Sequence, residues 1–212
     1  MDPEFWHQRW QANQIGFHEG QVNALLARHF DGLSLAKGSR VFLPLCGKTR
    51  DIAWLLSKDF RVAGAELSAI AVRQLFEELG VEPQLTEIGK LIRHSADGID
   101  IFVGDIFDLS AIALGPVDAI YDRAAMVAFP QAMRERYAAH LMNISKCAPQ
   151  FLISFEYDQS KFDGPPFSVT EAEIRRHYDD RYTTTMAESV DLADGLKGKV
   201  PATEAAWFPR PR

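Results

Sequence analysis

The stretch Val41-Phe42-Leu43-Pro44-Leu45-Cys46-Gly47-Lys48 is followed by Thr49-Arg50-Asp51-Ile52-Ala53-Trp54-Leu55-Leu56, and then by Val62-Ala63-Gly64-Ala65-Glu66-Leu67. A short apolar run ends in a turn, an amphipathic run follows, and a second apolar run ends in a carboxylate, which predicts strand, loop, helix, strand. Right-handed crossovers bring the carboxyl ends of both strands to one edge of a parallel sheet, where open α/β sheets bind ligands. Glu66 lies 19 positions after Gly47. An acidic side chain about 20 residues beyond such a turn is spaced to accept from the hydroxyls of a nucleoside ribose.

Three ligands compete for this unit. A dinucleotide needs a G-x-G-x-x-G turn whose amides reach a pyrophosphate, and Gly47 is the only glycine in the turn. A P-loop needs G-x-x-x-x-G-K-[ST]; Gly47-Lys48-Thr49 supplies its second half, but Phe42 replaces the first glycine and Pro44 removes an amide donor. A nucleoside without phosphates needs the carboxylate and not the nest of amides, and S-adenosylmethionine is the commonest such ligand.

The segment Phe42 to Lys48, with Glu66 ending the next strand, resembles the cofactor loop of the thiopurine S-methyltransferase family. Phe5-Trp6-x-x-x-Trp10, Gly16-Phe17-His18, Tyr121-Asp122-Arg123-Ala124-Ala125 and Asp163-Gly164-Pro165-Pro166-Phe167 match in the family's order, across roughly residues 4 to 178. The resemblance implies a Rossmann-like class I methyltransferase that moves a methyl group from S-adenosylmethionine to an aromatic or heterocyclic thiol, selenium and tellurium species included. It implies that Trp10, Leu45, Glu66, Asp105, Ile106 and Arg123 hold the cofactor, and that Phe17 and His18 face the substrate. A monomer is the family's default.

With 212 residues, 47% hydrophobic and 25% charged, the chain suits a single domain spanning 1–212 with a sizeable core. A formal net charge of -6 offers no electrostatic footprint for nucleic acid or an anionic membrane. The longest apolar run falls short of the roughly 20 residues of a membrane span, and the amino terminus lacks a basic, then apolar, leader pattern. The two cysteines, Cys46 and Cys147, form no C-x-x-C, which fits a reducing, cytoplasmic setting.

Residues 2 to 12 read as a short helix with Asp2 as cap, Pro3 at its first position and Trp6 and Trp10 on one face; with the segment to residue 20 it forms an expected lid. Residues 21 to 32 carry a helical apolar stripe, and Ala69 to Leu79 a helix stopped by Gly80. Leu85 to Ile88, Leu91-Ile92 and Ile99 to Val103 are strands, the last pair joined at Asp97-Gly98. Val117 to Asp122 and Phe151 to Tyr157 are core strands, separated by a helix from about Gln131 to Ser145. Thr170-Glu171-Ala172-Glu173 is a capping box for a helix reaching about Tyr178, and Tyr182 to Val190 pairs with Ala202 to Phe208 around Gly195 to Gly198. This order predicts an α/β fold, a doubly wound, mostly parallel sheet with an antiparallel C-terminal edge.

The six histidines form no H-E-x-x-H and no ligand-spaced pairing with cysteine, so no metal site is expected. Nor does the chain carry G-x-S-x-G or a Cys-His couple. Methyl transfer from a sulfonium needs neither, because the carbon is already activated and positioning does most of the work. Arg123 could also act electrostatically on the acceptor sulfur, oriented by its neighbour Asp122. Without the resemblance, Asp105 reads as a cap, Lys48 as a solvated lysine, Asp51 as a helix-start charge and Cys46 as packing. The competing functions are a degenerate P-loop nucleotide-binding protein and a non-catalytic adenosine-binding protein.

Overall fold

A computed structural model describes residues 3–16 and 18–212. In chain order come α1 (Pro3–Gln11), α2 (Ala24–His29), β1 (Arg40–Pro44), α3 (Arg50–Ser57), β2 (Arg61–Glu66) and α4 (Ala69–Leu79). Then follow β3 (Gln84–Ile88), β4 (Leu91–Ala96), β5 (Ile99–Val103), α5 (Ala111–Leu114), β6 (Ala119–Asp122) and α6 (Gln131–Ser145). The last elements are β7 (Gln150–Tyr157), α7 (Glu171–Tyr178), β8 (Tyr182–Asp191) and β9 (Ala202–Pro211).

All nine strands form one sheet in the order β3-β4-β5-β2-β1-β6-β7-β9-β8. The five strands from β5 to β7 run parallel, with β1 in register with β2 from Arg40↔Arg61 to Pro44↔Ala65. Parallel strands are covered by helices on both faces, and their sequences are accordingly near-continuous apolar runs. Alternate residues feed two cores: Val41 and Leu43 face α2, α3 and α4, while Phe42 faces α6 and α7. The sheet is antiparallel at both ends: β9 pairs with β7 and β8, and β4 pairs with β5 and β3. The expected C-terminal edge is present, and the second one follows from the two-residue turn Asp97-Gly98, where Gly98 takes φ of 72°.

Caps set most helix boundaries. The Thr49 hydroxyl accepts from the Asp51 amide, the Ser68 hydroxyl from the Ala71 amide, and Gly80 closes α4 at φ 70°. The stripe read over residues 21 to 32 is shorter as an α-helix, because Asn23 caps at its own position and the chain tightens to a 3-10 turn over Phe30–Leu33. At Thr170 only half of the expected capping box forms. The hydroxyl accepts from the Glu173 amide, but the Glu173 carboxylate turns to Arg134 at 2.7 Å instead of reaching back. That ion pair is buried, and the same guanidinium donates to the carbonyls of Phe129 and Ser168. Arg134 thereby ties α6 to the segment after β7.

Candidate functional site

At the carboxyl end of β1 the chain reverses sharply. Leu45 and Gly47 take φ of 49° and 54°, and Ala124, just beyond β6, takes 60°. Left-handed backbone costs a non-glycine residue about 1 kcal/mol and collects where a site demands it. The turn is fixed by two bonds to β2: the Cys46 amide to the Ala65 carbonyl at 3.0 Å, and the Gly47 amide to Glu66 Oε2 at 2.8 Å. A Cβ on Gly47 would stand 3.3 Å from Cζ2 of Trp10, so α1 lies directly over the turn with Trp10 buried.

Two cavities open along this edge, of about 290 and 250 Å³. Leu45, Glu66 and Leu67 line both. Glu66 is 7% exposed, and its second oxygen accepts from the Ser68 amide at 2.8 Å. A carboxylate has about four lone-pair directions, so two remain for a ligand. Burial raises the Glu66 pKa, against the lowering effect of the Ser68, Gly47 and Leu67 amides.

The smaller cavity runs from Glu66 to Asp105, Ile106 and Phe107, with Phe129 and Met133 as an apolar wall. Asp105 Oδ1 accepts from the Phe107 amide at 3.0 Å, so the residue is the cap its sequence context suggests, with Oδ2 left for a second donor. Arg136 lies over the Phe107 ring at 3.9 Å, and His140 Nε2 meets the Ile106 carbonyl at 2.8 Å, which together hold this loop. Carboxylates at both ends and apolar sides leave room for a ring system that carries hydrogen-bond donors at its two ends.

The larger cavity contains Trp10, His18 and Arg123, with Trp6, Phe155, Pro165 and Leu196 as apolar lining. Arg123 is 10% exposed and pairs with Glu19, not with the expected Asp122. Asp122 points into the opposite face, where it accepts from Tyr137 Oη at 2.8 Å and the Met126 amide at 3.0 Å. Side chains alternate across a strand, so neighbours at its end cannot share a face. Burial raises the Asp122 pKa to about 6. The His18 pKa is lowered, by burial first and by the Lys48 charge next, which keeps the ring neutral near pH 7.

Asp51 is more than a helix-start charge. It is fully buried and accepts from the Asn23 amide at 2.8 Å, Thr49 Oγ1 at 3.0 Å and Tyr121 Oη at 3.0 Å, tying three elements together beneath the larger cavity. Lys48 is not solvated as expected: its Nζ sits 2.7 Å from Glu78 on α4. A P-loop lysine must point at phosphates, and this one is committed elsewhere. Cys46 is buried, and desolvation holds its thiol well above the ordinary range, as packing requires and a nucleophile would not.

Of the residues singled out from sequence, Trp10, His18, Leu45, Glu66, Asp105, Ile106 and Arg123 all line one cavity or the other. Phe17 lies outside the described residues. Among these residues no group of three or more His, Cys, Asp or Glu could hold a metal ion, and no helix is long and apolar enough to cross a membrane. The sequence reading missed Arg9, Glu19, Lys197 and Glu204, which join the larger cavity from α1, the following loop and the β8–β9 region. None belongs to a motif, and only long-range folding brings them there.

A family model described as thiopurine S-methyltransferase matches residues 1–206. The chain is 57% identical to a thiopurine S-methyltransferase of Xanthobacter autotrophicus over 98% of both chains. It is 49% identical to one of Teredinibacter turnerae, covering 98% of this chain and 96% of that one. Among solved structures it resembles a 1,6-didemethyltoxoflavin-N1-methyltransferase of Burkholderia thailandensis with bound S-adenosylhomocysteine, at TM-score 0.66 and 13% identity over 98% and 87% of the two chains. A TehB-like S-adenosylmethionine-dependent methyltransferase of Corynebacterium glutamicum matches at TM-score 0.58 and 15% identity over 99% and 98%. At such identities these two likenesses establish the fold.

Proposed function

The chain belongs to the thiopurine S-methyltransferase family, and from that membership we propose that it methylates the sulfur of aromatic and heterocyclic thiols, thiopurines among them. S-adenosylmethionine is the methyl donor and supplies a carbon already activated by its sulfonium. The observation that carries the reading is the sharing of Leu45 and Glu66 between two cavities, one of adenosine dimensions and one apolar with charged margins.

Glu66 offers its two free lone pairs to the ribose hydroxyls, Asp105 offers Oδ2 to the adenine amine, and Ile106 packs on the ring. Arg123 takes the methionine carboxylate, which requires exchanging it for Glu19. Trp10 and His18 belong in this reading to an N-terminal lid that excludes water from the acceptor. A thiolate and a sulfonium cancel their charges as they react, so a water-poor pocket favours the transfer. Holding the sulfur about 3 to 3.5 Å from the methyl carbon contributes roughly 7 to 11 kcal/mol, and no general base is needed for an acceptor that ionises near neutral pH.

Two free thiols, Cys46 and Cys147, and an acidic net charge of -6 support a cytoplasmic enzyme that does not bind nucleic acid. We read it as a monomer of one domain serving detoxification of thiols, and of selenium or tellurium species with the same soft nucleophilicity. Calorimetry with S-adenosylmethionine and with MgATP, followed by methyl transfer to a thiopurine, tests the function. Binding of MgATP with hydrolysis would transfer the case to the P-loop alternative, and donor binding without transfer to any thiol would leave an adenosine-binding protein.

A further inference from the structure

Asp122 is a carboxylate placed where packing alone would not put one. It ends β6, between β1 and β7 in the sheet, and is fully buried. Burial raises its pKa to about 6, against the lowering effect of the Met126 amide, the Tyr137 hydroxyl and the Ala125 amide, so the group is charged at pH 8. The titratable groups that face it are Tyr137 of α6 and Tyr178 of α7, whose hydroxyls burial holds neutral. A buried charge without a cation costs stability, and an amide of the same shape would fill the space without that cost.

What the carboxylate holds is the turn that carries Arg123. Its Oδ2 is anchored to α6 by Tyr137 Oη at 2.8 Å, and its Oδ1 accepts from the Met126 amide, four residues on, at 3.0 Å. Between these points Ala124 takes φ of 60°, a conformation unfavourable for a residue with a Cβ. The 3-10 turn Met126–Ala128 that follows has Ala125 at its cap position, with no side-chain bond of its own. Asp122 supplies that bond from the strand end. The far side of the turn is fixed separately, the Val127 carbonyl accepting from the Phe167 amide at 2.7 Å. Arg123, Ala124, Val127 and Ala128 all line the larger cavity. Since neighbours at a strand end face opposite sides of the sheet, the carboxylate cannot reach the guanidinium and acts on the backbone beneath it.

We propose that the Asp122 carboxylate is a positioning residue for the methyl donor: through the Met126 amide it locks the turn over residues 122–126 and so aims Arg123 at the donor's carboxylate. The inference rests on the assignment of Arg123 to that carboxylate in the proposed function. A guanidinium fork bonds a carboxylate in one plane and loses the second bond when its base rotates. The loss on loosening the turn therefore falls on that contact, and the nucleoside end at Glu66 keeps its own.

The test measures calorimetric binding of two ligands to the full chain at pH 8: S-adenosylmethionine, and decarboxylated S-adenosylmethionine, which keeps the sulfonium, the amine and the adenosine. Asp122→Asn retains the shape and one neutral acceptor, and Asp122→Ala retains neither. The ratio of dissociation constants, decarboxylated over intact, should fall about threefold or more in Asp122→Asn and about tenfold in Asp122→Ala, through weaker binding of the intact donor alone. Asp122→Asn should unfold in urea at this pH no more readily than the native chain, which separates lost aim from lost stability. Added to Arg123→Met, it should leave the ratio where Arg123→Met alone puts it. Should Asp122→Ala lack a cooperative transition, Asp122→Asn decides. An unchanged ratio in Asp122→Asn, an equal loss for both ligands, or a further fall on top of Arg123→Met overturns the inference and leaves the clamp standing, provided Arg123→Met itself lowers the ratio. A native ratio in Arg123→Met overturns the clamp and the inference together, and failure of the native chain to bind S-adenosylmethionine overturns the proposed function with them.

Discussion

Glu66 gives the sharpest test of the cofactor assignment. Its two oxygens each accept one backbone amide at 2.8 Å, and the residue lines both cavities. Glu66→Ala removes both acceptors for the ribose hydroxyls. A hydrogen bond to a charged acceptor contributes about 1.5 to 3 kcal/mol, and two such bonds from one carboxylate are not fully additive, so the expected loss is roughly 2 to 4 kcal/mol. That is about 30- to 1000-fold in the dissociation constant. Glu66→Gln keeps the shape, but its amide nitrogen must face either the Gly47 or the Ser68 N–H, donor against donor, so it should recover little. Calorimetry with S-adenosylhomocysteine measures the constant, and a cooperative thermal transition checks the fold. An analogue lacking both ribose hydroxyls supplies the cycle: it should bind the native chain much more weakly and Glu66→Ala no worse than the parent ligand does. Equal affinity of native chain and variant for the full ligand would refute the reasoning.

Three further outcomes follow from the geometry. Arg123→Met and Arg123→Lys should both weaken the donor, Met more, with little change in the pH profile of saturated turnover; normal donor affinity in Arg123→Met removes the clamp, and an upward-shifted profile moves the residue to the acceptor side. Gly47→Ala puts a methyl group 3.3 Å from Trp10 at a φ of 54°, and should raise the donor dissociation constant about tenfold through a displaced ring, read by titrating tryptophan fluorescence. Asp122 carries a folded pKa of about 6 against an unfolded value near 3.9, so its neutral form is favoured by folding. The stability this provides is complete below about pH 4 and is lost as pH rises through 6, roughly 2 to 3 kcal/mol in all, of which about 1.4 kcal/mol is lost between pH 5 and pH 8 and should vanish in Asp122→Asn in urea titrations at those two pH values.

The parallel half of the fold is written in local pattern. Apolar runs such as Val41 to Pro44 and Phe151 to Tyr157 read as doubly buried strands because they are, and Ser68 with Gly80 fixes both ends of α4. What local pattern misses is competition. Glu173 is a capping-box residue by spacing, yet a buried guanidinium 39 positions earlier attracts it more strongly. Lys48 looks solvated until α4 brings Glu78 beside it, and Asp122 and Arg123, adjacent in sequence, face opposite sides of the sheet. Glu66 was legible from spacing and topology, since both strand ends reach one edge of the sheet, whereas Leu45, Asp105 and Arg123 stood out through the family resemblance. Arg9, Glu19, Lys197 and Glu204 reach the cavity through α1, a loop and an antiparallel strand, whose placement depends on packing across the whole chain.

The ribose clamp proposed for Glu66 would act away from the bond that changes. Glu66 would grip the donor and its demethylated remainder with the same two hydrogen bonds, since the hydroxyls are identical before and after transfer. Affinity invested there is uniform binding: it lowers the amount of donor needed but does nothing to hasten chemistry. It also makes the spent nucleoside a competitor for the next turn, with only the lost positive charge at sulfur to set the two apart. Among the carboxylates of the larger cavity, Glu19, Asp51 and Glu204 are the groups whose field could register that loss, so weakening them should make inhibition by S-adenosylhomocysteine more severe relative to donor affinity, even where the clamp itself is untouched.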